Sequence, residues 1–222
     1  MNGLVQAREI FQGSDLRCTM HDNAQDGGVQ SLQVLVARTL YAPEEITGTV
    51  AVVLEDTKIR DVWRGADADA ARQRVAEQIP GAVPEVIDLG SWRLAPGYID
   101  LHIHGFRGHD VTTGSREDVE TLARELPRTG VTSFFPTIAT IDRAETAQQV
   151  RMVADAAQNQ GYTASAEMLG VRMEGPFISR TKKGAQYAPA IRPPDPIEME
   201  ELAAIGSGWV RIVDYAPEED EG

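Results

Sequence analysis

The sequence is poor in cysteine, in long apolar runs and in positive charge, and each shortage closes off a class of protein. Cys18 is the only cysteine among 222 residues, so there is no intramolecular disulfide and no zinc site built on thiolates. No run approaches the ~18 consecutive apolar residues of a membrane-spanning helix. Arg8 and Glu9 also stand where a secretory signal would be apolar. Both features predict a cytoplasmic protein with no membrane partner. The 21 Lys and Arg are outnumbered by 34 Asp and Glu, and a net charge of −13 disfavours nucleic acid or an anionic membrane surface as partner. A phosphorylated small substrate would need a local basic pocket against that field. What is present is ordinary for a globular chain: 42% hydrophobic and 25% charged residues, enough for a sizeable core in one large or two small domains.

Residues 1–30 carry Gly, Asp, Asn and Gln without periodicity, end in an Asp26-Gly27-Gly28 loop cluster, and are expected to be weakly ordered. From Leu32 the texture changes. Leu32 to Leu40, Gly48 to Leu54 and Lys58 to Trp63 are rich in β-branched residues and separated by short polar turns, which predicts a small antiparallel sheet. An Ala-rich helix over Asp67 to Gln78 and a strand over Glu85 to Leu89 complete a block that ends near residue 93. After it the pattern alternates. Helices are predicted over Ser115 to Leu126, with Ser115 as N-cap, over Arg143 to Asn159, and over Ile197 to Ile205. Strands are predicted over Val131 to Ile138, Glu167 to Glu174 and Val210 to Tyr215. Strand-helix alternation of this kind implies an α/β fold with a parallel sheet. Counting from Pro96 gives four such units, half of the eight that a closed barrel of about 250 residues requires.

The chemistry concentrates in Leu94-Ala-Pro-Gly-Tyr-Ile-Asp-Leu-His-Ile-His-Gly105. In an extended chain His102 and His104 point to one face with Tyr98 and Asp100, while Ile99, Leu101 and Ile103 point to the other. Two neutral imidazoles converging from one strand end can grip a divalent cation. Glu174, at the end of another predicted strand and followed by Gly175-Pro176, is placed to reach the same ion. Asp100 is a candidate acceptor that orients one of the imidazoles. His109, in the Gly105 to His109 loop, and His21 read as non-ligands, Lys182 and Lys183 as a solvated pair, and Met152 and Val153 as core.

These residues resemble those of the N-acetylglucosamine-6-phosphate deacetylases of the amidohydrolase superfamily. Pro96 to Gly105 alone is similar to the metal strand of the whole superfamily, dihydroorotases and allantoinases included. Met173-Glu-Gly-Pro-Phe-Ile-Ser179, Lys182-Lys-Gly-Ala185, Phe134-Phe-Pro-Thr137 and Ala216-Pro-Glu218 narrow the likeness, which covers roughly Leu32 to Glu218. The resemblance implies a small amino-terminal β-sandwich over 31–93 and the first half of a (β/α)8 TIM barrel over 94–222. It implies one or two divalent metal ions per site (zinc, iron or manganese) held by His102, His104 and Glu174. It also implies a sugar-phosphate substrate losing its acetyl group, substrate contacts at Ala185 and Gln186, and a homo-oligomeric full-length protein. The chain departs from the pattern at Arg172 and Gln186, where the family often has histidine. The family's general base and its remaining metal histidines correspond to positions beyond Gly222, so no catalytic residue is assigned within this chain, which is expected to be inactive and to associate when alone. Two other readings stay open: a non-catalytic remnant that serves as an interaction module, and a different amidohydrolase such as a dihydroorotase.

Overall fold

The computed structural model describes residues 4–6, 31–42, 45–161 and 164–220, and the chain divides into two compact units, Met1–Gly97 and Tyr98–Gly222. Cys18 and His21 lie outside the described residues.

The first unit is one six-stranded sheet. Its strands are β1 (Leu4–Gln6), β2 (Leu32–Leu40), β3 (Ile46–Glu55), β4 (Lys58–Arg64), β5 (Glu85–Asp88) and β6 (Arg93–Ala95). The antiparallel β2-β3-β4 meander agrees with the sequence pattern. The sheet as a whole is mixed, because β5 and β6 both run parallel to β2, and β1 runs parallel to β6. A parallel return needs a crossover, and helix α1 (Ala68–Gln78) supplies it between β4 and β5. Asp67 caps α1 by accepting from the Ala70 N–H. Leu4–Gln6, within the segment expected to be weakly ordered, pair in register with Arg93–Ala95.

The second unit contains β7 (Tyr98–Ile103), β8 (Gly105–Phe106), β9 (His109–Asp110), α2 (Arg116–Glu125), β10 (Val131–Ile138), α3 (Arg143–Gln158), β11 (Glu167–Met168), β12 (Val171–Glu174), α4 (Pro196–Ile205) and β13 (Val210–Asp214). β10 pairs in parallel with β7, β11 and β12, and β12 pairs in parallel with β13. The strand expected over Glu167 to Glu174 is therefore two pieces. The break falls at Gly170, whose φ of 143° only glycine adopts readily, and a Cβ there would stand 2.7 Å from the Trp209 carbonyl oxygen. Helix α2 opens on a capping box in which the Ser115 side chain accepts from the Asp118 N–H and Asp118 accepts from the Ser115 N–H.

The core of this unit gathers Phe134, Ile138, Met168, Val171 and Met173 from the strands with Val119, Leu122, Val150, Val153 and Leu202 from the helices. Val153 is buried, and Met152 packs against the cluster partly buried. Helices cover the apolar residues of β10 and β12, whereas Ile99 and Leu101 of β7 are 59% and 54% exposed.

Candidate metal centre

β7 and β12 bring His102, His104 and Glu174 to one point, with a ligand atom of each lying within 4.8 Å of the other two. His104 Nε2 is 2.7 Å from Glu174 Oε2, His102 Nε2 is 3.1 Å from the same oxygen, and the two Nε2 atoms are 3.1 Å apart. All three side chains remain partly open to solvent. Separations near 3 Å between donor atoms are those found around one ion whose bonds are about 2.0–2.2 Å long.

The partners of each residue sharpen this. His104 Nδ1 faces the Thr137 carbonyl at 3.1 Å, and a carbonyl only accepts, so Nδ1 carries the hydrogen. In the neutral ring Nε2 then holds a lone pair, and it points at a carboxylate oxygen that also offers only lone pairs. Two such atoms at 2.7 Å require a positive charge between them, a proton or a cation. The residues thus fit a divalent ion of borderline softness, with Thr137 fixing the histidine as a partner behind a ligand does. Thr137 is fully buried, and its hydroxyl accepts from the Ile103 N–H at 3.1 Å, tying β10 to the histidine strand twice.

Gln186 reaches the same oxygen. Its Oε1 accepts from the Thr140 N–H at 2.7 Å, which orients the amide so that Nε2 donates to Glu174 Oε2 at 2.7 Å. Thr140 also donates its hydroxyl to the Glu174 main-chain carbonyl at 3.2 Å. Ala185, on the same turn, is exposed. Asp100 takes a different place from the expected one: its Oδ1 accepts from the His102 main-chain N–H at 3.0 Å rather than from an imidazole. His109 stands outside the group and donates from Nδ1 to Asp118 at 2.8 Å. That bond, with the Ser115 N–H and hydroxyl, holds the Asp118 carboxyl down at about 2. Lys183 donates to the Gly184 and Gln186 carbonyls and Arg180 to those of Ala188 and Ile191, so both cations hold their loop in shape.

The loop after Glu174 is also anchored at its far end. Glu198 of α4 is 1% exposed and is gripped by the Arg192 guanidinium, with Nε to Oε2 at 2.9 Å, while Arg143 approaches to 3.8 Å. A buried carboxylate without such partners would be strongly unfavourable.

One contact lay beyond sequence reasoning. Arg172, two residues before Glu174 on the same face of β12, donates from Nε and Nη2 to the two Asp214 oxygens and from Nη1 to the Leu101 carbonyl, all at 2.9 Å. The alternation of β12 places Arg172 beside Glu174, but only the strand register puts Asp214 and Leu101 within its reach.

The chain is similar to known sugar-phosphate deacetylases. N-acetylglucosamine-6-phosphate deacetylase of Bacillus subtilis is 36% identical over 175 residues, which is 78% of this chain and 44% of that protein. N-acetylgalactosamine-6-phosphate deacetylase of Escherichia coli O157:H7 is 30% identical over 156 residues, 68% of this chain and 41% of that protein. Among solved structures, a variant of N-acetyl-D-glucosamine-6-phosphate deacetylase from Mycobacterium smegmatis, in complex with N-acetyl-D-glucosamine-6-phosphate, superposes with a TM-score of 0.69 at 26% identity. It covers 86% of this chain and 45% of that one. The chain therefore spans less than half the length of the relatives it matches. The sequence profile of the Amidohydrolase family matches residues 93–221, the stretch that contains both histidines and Glu174, and with that match the chain belongs to the amidohydrolase family.

Proposed function

We propose that this chain supplies the His102, His104 and Glu174 part of the metal centre in a deacetylase that releases acetate from N-acetylglucosamine 6-phosphate, leaving glucosamine 6-phosphate. The convergence of the three side chains on one point carries the reading, supported by relatives that act, by name, on acetylated amino-sugar phosphates. A divalent ion held there (zinc, iron or manganese, one or two per site) would acidify water and polarise the amide carbonyl. This chain's own residues prepare for that. Thr137 sets the His104 ring, and Gln186 and Thr140 set the Glu174 carboxylate; Ala185 and Gln186 are assigned here as substrate contacts. No residue within 1–222 is assigned as the general base. In the same reading the first unit belongs to a β-sandwich, the second to the first half of a (β/α)8 barrel, and the whole protein works in the cytoplasm as a homo-oligomer.

The test is acetate release from N-acetylglucosamine 6-phosphate by the protein that carries this sequence, loaded in turn with zinc, iron and manganese. Turnover with at least one metal, lost in the His104→Ala variant, is the expected result. Turnover of a dihydroorotate ring in its place, or of neither substrate, overturns the reading. The Escherichia coli relative favours one further arm, N-acetylgalactosamine 6-phosphate, whose preferential hydrolysis would move the assignment to the epimeric sugar.

A further inference from the structure

The peptide unit that joins Leu101 to His102 is held almost entirely by side chains. β7 pairs with β10 through Asp100 opposite Phe134 and then Ile103 opposite Pro136, so Leu101 and His102 together face Phe135 alone. This is a β-bulge, which takes residues out of the ladder and re-aims a side chain. Pro136 stands beside it and has no N–H to give, as is usual for a proline tolerated within a sheet. The two polar groups of the bulged peptide are satisfied elsewhere. The His102 N–H donates to Asp100 Oδ1 at 3.0 Å in an Asx-type turn, and the Leu101 carbonyl accepts from Arg172 Nη1 at 2.9 Å. Arg172 is itself fixed, because Asp214 takes its other two donors in a bidentate pair and the Arg172 side chain is only 18% exposed.

We propose that Arg172 is a positioning residue of the metal centre. Held by Asp214, its guanidinium pins the Leu101–His102 peptide from across the intervening strand β10 and so aims the His102 imidazole at His104 and Glu174. Among the described residues Arg172 makes no hydrogen bond or ion pair to a ligand side chain; it acts through the backbone of His102. The inference rests on the metal reading above and adds to it a residue that only this chain's own contacts define. Lysine cannot take over, since one ammonium lacks the planar fork that serves Asp214 and Leu101 together.

The experiment is a cobalt(II) titration of the full chain, read in the visible absorption bands that report ligand geometry, on wild type, Arg172→Met, Arg172→Lys and Asp214→Asn, with thermal melts of the metal-free proteins alongside. Arg172→Met is expected to bind cobalt about 10–100-fold more weakly, the range for partners standing behind metal ligands, and to shift the absorption bands. Arg172→Lys and Asp214→Asn should fall between it and wild type. Wild-type affinity and an unshifted spectrum in Arg172→Met would overturn the proposal even if its melting temperature drops, because that is the result of a purely structural role. Should Arg172→Met fail to fold, unchanged cobalt affinity in both other variants overturns it equally. A wild type that binds no cobalt overturns it together with the metal centre. Cobalt binding that depends on Arg172 supports it even where the acetate-release test of the proposed function fails, a failure that removes the deacetylase assignment alone.

Discussion

β2 and β7 are built from similar residues and live in different surroundings. β2 lies within its sheet with both faces covered: Val34 and Val36 join one apolar cluster, and Leu35, Ala37 and Leu40 join another. A strand buried on both sides reads as a nearly continuous apolar run, as β2 does. β7 carries Ile99 and Leu101 on a face more than half open to solvent and His102 on the other. Burying one such aliphatic side chain contributes about 1.5–3 kcal/mol. β2 therefore helps to hold its unit together, whereas β7 is held by its ladder with β10, by the bond its Ile103 N–H donates to Thr137 and by the one its Leu101 carbonyl accepts from Arg172. β-propensity alone does not separate the two; what covers the strand decides whether it supports the fold or presents a site.

The largest expected effect falls on the site side of that comparison. His104→Ala removes a proposed ligand, so cobalt or zinc titration should show affinity down by more than the ~100-fold typical of outer partners, with the metal-free melting curve essentially unmoved. An equal loss of folding stability would place β7 among the strands that support the fold. Next comes Leu35→Ala, which empties a fully buried position and should cost about 2–5 kcal/mol in urea denaturation. Leu101→Gln, on the open face of β7, should stay within about 0.5 kcal/mol by the same measurement. A cost near that of Leu35→Ala would mean that another surface covers β7 in solution.

The smallest effect is a dependence on pH. The His109 bond, followed by those from Ser115, puts the folded-state value of Asp118 at about 2, below the unfolded value of about 3.9. The carboxylate therefore favours the folded chain fully above that unfolded value, and its contribution is lost as pH falls through the interval between the two. Asp118→Asn should flatten that part of the acid limb of the stability curve. A slope identical to wild type would show that the His109 pair does not contribute.

Local pattern revealed much of this molecule. The period of two put His102 and His104 on one face, the strand end singled out Glu174, and Ser115 was legible as an N-cap. What escaped depends on register between strands distant in sequence. Neither the bulge at Leu101–His102, nor the carbonyl of Thr137 behind His104, nor the bridge from Arg172 to Asp214 leaves a mark on its own segment. Asp100 read as an acceptor that orients an imidazole, and its Oδ1 takes a main-chain N–H, because a carboxylate two residues ahead closes a turn more readily than it reaches past a neighbouring ring. In the first unit, the parallel return of β5 and β6 was hidden for the same reason.

Gly175 follows Glu174 with φ at 91°, and a Cβ there would fall on the hydroxyl oxygen of Thr140. Thr140 is the residue that touches both the Glu174 carbonyl and the Gln186 amide. A map of tolerated substitutions along the chain would therefore mark position 175 as sharply as the ligands themselves. The gene is constrained there to spell an empty space, and a search for essential chemical groups would pass over one of the positions on which the centre depends.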